Sequence, residues 1–129
     1  MRLNPDCIRD ILLTVEDKSD GSSSVTIARN TDPRLDPYTA GEIYYHVRQC
    51  VEVNLLSGMK EDMLGNCTVR DLTPAGHEFI ANIRKDTLWE RTKETAKSVG
   101  SNSLKAIAQI ASYVVAEVIK AKFQIPPSV

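Results

Sequence analysis

The stretch GEIYYHVRQCVEVNLLSG, residues 41–58, decides how this chain folds. Ile43, Val47, Cys50 and Val51 recur at about 100° per residue, so one side of a helix is apolar, with Tyr44 on its margin. The opposite side presents Tyr45, Gln49 and Glu52, flanked by Glu42 and Arg48. Thr39 and Glu42 have the spacing of a capping box, which starts a helix over 39–54. LLSGMK (55–60) and CTVRDL (67–72) then read as two strands around EDMLGN, whose Gly65-Asn66 supplies turn residues. The helix therefore feeds straight into a hairpin.

Working outward, Asn4 and Pro5 have the chemistry of a helix cap and first helical position. Ile8, Ile11, Leu12 and Val15 give the buried face of a helix to about Asp17. SVTIA (24–28) reads as a short strand, and RNTDPRLDPY as an irregular loop in which a single helical turn is left open. Thr73-Pro74 opens a further helix with Phe79, Ile80 and Ile83 inside. After a bend at Lys85-Asp86, Thr87 and Glu90 suggest a second capping box for a helix that Gly100 stops. Ser101–Ser103 cap a last helix to about Phe123. We expect a domain over 1–84 and a two-helix extension over 85–129.

Helix, short strand, helix, two-stranded hairpin, helix is an order that resembles a winged-helix domain. EIYYHVRQCVEVNLL resembles the helix-into-wing signature of bacterial winged-helix regulators. RDLTPAGHEFIANIRKDTLW (70–89) adds Leu72, Thr73, Gly76, His77, Glu78 and Phe79, then Ile83, Arg84, Asp86, Thr87 and Trp89. Together these motifs resemble a family of short winged-helix proteins from Gram-positive bacteria, prophages and phages, a domain of unknown function. The resemblance implies an α+β fold, helices plus a small antiparallel sheet with one wing hairpin, and a mobile-element setting. It implies no activity and carries no catalytic residues across. The general plan places a supporting helix before the reading helix, where this chain has a strand and a Pro-rich loop.

Charge bears on the target. Net charge is −1, but residues 1–80 hold 8 Lys/Arg against 13 Asp/Glu, and residues 81–129 hold 8 against 4. A duplex-binding surface neutralises several phosphates with Lys or Arg. Here Arg48, Lys60 and Arg70, with Arg29 and Arg34 from the loop, face Glu42, Glu52, Glu61, Asp62 and Asp71. Arg48 could fork onto guanine, Gln49 could pair with adenine, and Tyr45 could stack or reach a phosphate. Tyr45, Arg48 and a projecting Met63-Leu64 are equally residue types of a protein interface. We therefore expect a non-enzymatic binding protein acting on a protein partner of host or phage. The alternative is a transcription regulator reading duplex DNA through helix 39–54. The partner-binding set in either case is Tyr45, Arg48, Gln49, Lys60, Met63, Leu64 and Arg70.

The last helix has an apolar arc too wide for one-sided packing, which leaves a core element or a contact with a second copy. A homodimer is favoured, with Ile107, Ala111, Val114 and Val118 as its seam. His46 and Cys50 have the i, i+4 spacing of two metal ligands, but there is no CxxC pair and Cys50 lies on the apolar face, so no metal is expected. Phosphate-loop, GxSxG and HExxH motifs are absent, so neither catalysis nor a cofactor is expected. MRLNPDCIRDILLTVEDK carries Asp6 and Asp10 within its apolar stretch and has no leader-type cleavage site. The longest apolar run, AIAQIASYVVAEVI, has 14 residues and includes Gln109 and Glu117, against the roughly 18–20 that a membrane span needs. Three unpaired cysteines suit a reducing compartment, so a cytoplasmic location without membrane contact is expected.

Overall fold

Asn4 starts the first helix as its side chain allows. In the computed structural model, which describes residues 1–63 and 66–123, Asn4 Oδ1 accepts from the Asp6 and Cys7 amides ahead of α1 (Pro5–Lys18). β1 (Val25–Ile27) follows, then a 3₁₀ turn (Pro33–Leu35) and α2 (Ala40–Glu52). The hairpin comprises β2 (Leu56–Ser57), β3 (Lys60–Glu61), β4 (Cys67–Val69) and β5 (Asp71–Leu72). α3 (Pro74–Ile83), α4 (Asp86–Val99) and α5 (Leu104–Lys122) complete the described chain. The class is α+β. Gly65, assigned to the hairpin turn, and Leu64 lie outside the described residues.

Two compact units divide at Ala81 and Asn82. In the first, β1 lies antiparallel to β4 and β4 antiparallel to β3, giving the order β1-β4-β3. Val25 faces Val69 and Ile27 faces Cys67, and these four side chains turn to the core. β2 and β5 pair at the base of the hairpin through Leu56 and Leu72. α1 packs on α2, β1, β5 and the 3₁₀ turn. Ile8, Ile11, Leu12 and Val15 are fully buried there, each such side chain contributing about 1.5–3 kcal/mol.

The Pro-rich loop is ordered by α1. Asp32 caps the 3₁₀ turn, and Arg34 closes on both Asp32 and Asp17. The Tyr38 hydroxyl donates to Asp10 Oδ2 at 2.6 Å. Burial pushes the Asp10 carboxyl above the usual range, while the Tyr38 bond pulls it back down. Because the net direction is upward, ionising Asp10 costs stability as pH rises through the carboxylate range, and Tyr38 limits that cost. Tyr38→Phe should therefore destabilise by about 1–2 kcal/mol at neutral pH. Urea denaturation in Asp10 and Asp10→Ala backgrounds checks this; an equal loss in both would show that the hydroxyl does not act through Asp10.

α2 starts as its capping box requires, with Thr39 Oγ1 accepting from the Glu42 amide and Glu42 Oε1 accepting from the Thr39 amide. It ends at Glu52 rather than residue 54, because Asn54 takes φ 64° and turns the chain into β2. Thr73 then ties this corner to α3: its hydroxyl donates to the Asn54 carbonyl and accepts from the Gly76 amide at 3.0 Å.

In the second unit α4 and α5 pack together as a helical pair. The capping box expected at Thr87 and Glu90 does not form. α4 already begins at Asp86 with Lys85 at its cap, which puts Thr87 inside the first turn. Gly100 ends α4 in the left-handed conformation, and Ser103 caps α5 by accepting from the Ala106 amide. Ile107, Ala111 and Val114 are 1%, 0% and 2% exposed, and Val118 is half-buried. The three buried side chains have no surface to offer a second copy, so the seam drawn through them is not an open face. Tyr113 and Ile119 are the exposed large apolar side chains of α5.

Candidate interaction surface

α2 carries its two faces on 3.6-residue spacing. Ile43, His46, Val47 and Cys50 are buried, whereas Arg48 and Glu52 are exposed and Tyr45 and Gln49 half-exposed. His46 thus belongs to the core, at 1% exposure. Its Nε2 accepts from the Asn4 amide at 2.8 Å, and its Nδ1 donates to the Glu42 carbonyl at 2.6 Å. A backbone N–H can only donate and a carbonyl can only accept, so these partners fix one tautomer. Both ring nitrogens are occupied, which removes His46 from the ligand pair the sequence suggested with Cys50. Among the described residues no three His, Cys, Asp or Glu side chains gather as a metal site. Burial pushes the Cys7 thiol up to about 12 and also raises Cys50 and Cys67, so none is poised as a thiolate.

The outward face of α2 is partly neutralised by its own charges. Arg48 Nε donates to Glu52 Oε1 at 3.1 Å, one helical turn on. Both side chains are more than half exposed, so the pair is weak and openable, but it sets a carboxylate beside the main guanine-reading candidate. Tyr44, next in line, meets Glu61 of β3, whose carboxylate raises the Tyr44 phenol above its ordinary value. This contact joins the helix to the hairpin. At the hairpin's end Asp62 accepts from the Asn66 backbone and side-chain amides, and Met63 is fully exposed. The other apolar residue expected at this tip, Leu64, falls outside the described residues.

Of the seven residues expected to act together, the six that are described do not gather around one cleft. Tyr45, Arg48 and Gln49 lie on α2 and Met63 on the hairpin tip. Lys60 and Arg70 instead border a cleft with Ser22, Ser24 and Gly58. Arg34, counted with the loop cations, is taken up by Asp17 and Asp32. Sequence reasoning passed over Ser22, Ser24 and the Tyr44–Glu61 contact. Strand alternation from Thr68 to Arg70 was the signal that could have placed Arg70 on the open face. A second cleft, of about 190 Å³, runs between Arg29-Asn30, the start of α2 and Asn66-Cys67.

Residues 2–102 match the family model described as "Hypothetical protein (DUF2513)". The chain belongs to that family. The DUF2513 match takes in everything from α1 through α4 and stops before α5. A protein of Haemophilus influenzae, described as an uncharacterized protein, is 30% identical over 122 residues, which cover 92% of this chain and 99% of that one. Coverage of that extent carries the likeness to the Haemophilus influenzae protein into α5. No solved structure matches the chain. No described helix is long and apolar enough to cross a membrane.

Proposed function

We propose that the first unit is a winged-helix-type module that binds a protein partner, without catalysis, through the outer face of α2 and the end of the hairpin. The winged-helix reading is supported by the element order and by β1 lying beside β4 of the hairpin, with the 3₁₀ turn standing where the supporting helix belongs. In this reading the protein works in the cytoplasm, and the phage or prophage setting implied by its motifs makes a host or phage protein the target.

One observation carries the choice of protein over duplex DNA. Arg48, the cation at the centre of the α2 face, is already paired with Glu52, while Glu61 and Asp62 lead into an exposed Met63. Phosphate neutralisation supplies most non-specific affinity for duplex DNA, and this surface offers little of it. Tyr, Arg and Met are residues that protein interfaces concentrate.

Crosslinking capture from cells that naturally produce the protein tests the reading. The wild type should retain one specific protein, and a Tyr45→Ala/Met63→Ala variant should retain at least about tenfold less of it. Equal capture by the wild type and this variant would remove this surface as the site.

A further inference from the structure

The open face of the three-stranded sheet carries a second, chemically different feature. Lys60 on β3 is the register partner of Thr68 on β4, and Arg70 follows directly after β4, exposed and two residues beyond Thr68. Gly58 lies against Arg70: a Cβ at Gly58, where φ is 71°, would approach Arg70 Cβ to 2.9 Å. The loop leading into β1 completes the wall with Ser22 and Ser24, enclosing a cleft of about 390 Å³.

Both cations are exposed, and neither has an ion-pair partner among the described residues. The carboxylate of that loop is exposed and engaged within the loop itself. Asp20 Oδ1 accepts from the Ser22 and Ser23 amides and from the Ser22 hydroxyl. Glu61 points to the other side of the hairpin, where it meets Tyr44. In an acidic half of the chain, two uncompensated cations and a free Ser24 hydroxyl are thus segregated into one hollow.

We propose that Lys60, Arg70 and Ser24, with Ser22 beside them, hold a single phosphomonoester dianion. The charges match, because a phosphomonoester carries about −1.5 to −2 at neutral pH. The guanidinium fork can engage two oxygens while the ammonium and hydroxyls reach others, which suits a tetrahedral group better than a planar carboxylate. A polyanion is disfavoured by the acidic balance of residues 1–80, which hold 8 Lys/Arg against 13 Asp/Glu. The hollow has room for the phosphoryl group and part of whatever carries it.

The test is an amide-resolved NMR titration of the full chain with inorganic phosphate, O-phosphoserine, a nucleoside monophosphate and duplex DNA. Saturable shifts confined to residues 22–24, 58–60 and 68–70 are expected from the three small phosphates. Affinity should fall about tenfold or more in Lys60→Ala/Arg70→Ala, one lost charged contact being worth at least that factor. The spectrum of the double variant reports directly whether its fold is intact. O-phosphoserine binding more tightly than the nucleoside monophosphate would assign the dianion to a polypeptide, and the reverse to a nucleotide. Absence of saturable shifts up to tens of millimolar phosphate would overturn the proposal. So would unchanged affinity in the folded double variant, or duplex DNA binding tighter than every small phosphate. None of these results depends on Tyr45 or Met63, so this site and the partner-binding face fail or stand separately.

Discussion

Gly76→Ala is expected to be the most damaging single-methyl change in the protein. A Cβ at Gly76 would lie 2.1 Å from the Leu55 carbonyl oxygen, 3.1 Å from its carbon and 3.3 Å from Leu72 Cδ2. The obstructing atom is backbone, fixed by the turn in which Leu55 N donates to the Cys50 carbonyl and Thr73 N donates to the Leu55 carbonyl. Nothing can swing aside, so α3 must shift away from the α2–β2 corner. Helix propensity alone would make the change favourable by about 1 kcal/mol, so the sign separates the two accounts. We expect a loss of about 3 kcal/mol or more and a fall in Tm on the order of 10 °C. A thermal melt checks it; a Tm unchanged or raised would show that the close approach at Leu55 is not a constraint.

His46→Leu is the second large effect. It removes the acceptor for the Asn4 amide and the donor to the Glu42 carbonyl at a ring that is 1% exposed. Asn4 itself is half-buried, so solvent recovers part of the loss, and about 2–3 kcal/mol is expected. Asn4 is also the cap of α1, so the damage should localise there. Denaturation gives the magnitude, and hydrogen exchange at the Asn4 amide gives the place. The amide should exchange much faster in His46→Leu than in the wild type and at an intermediate rate in His46→Gln, whose carbonyl can still accept. Unaltered exchange at Asn4 would contradict the assigned bond.

These two residues also mark where sequence reading ends. Caps are local chemistry, and Asn4-Pro5, Thr39 with Glu42, and Ser103 are legible because donor and acceptor lie within three residues of each other. Thr87 with Glu90 has the same signature and fails, because the helix starts earlier at Asp86. His46 was legible only as an i, i+4 spacing with Cys50, because its acceptor role is set by Asn4, 42 residues away. Gly76 sat unnoticed within a family motif, since its need for space arises from Leu55 across the corner. The apolar spacing of α5 identified its inward residues but could not tell an inward face from a seam, and Ile107, Ala111 and Val114 prove buried within one chain. For the interaction surface, residue types were legible and their grouping was not. Alternation along β4 and the loop before β1 separate Lys60 and Arg70 from the α2 face.

The α2 face is proposed to meet protein rather than duplex DNA. Its most direct test is selection from a random duplex pool, with bound fractions followed at about 50 and 200 mM salt, a range over which phosphate contacts lose much of their affinity. No motif should be enriched at either salt. An enriched motif whose binding falls steeply with salt and disappears in Arg48→Ala/Gln49→Ala would contradict it and make α2 a reader of DNA.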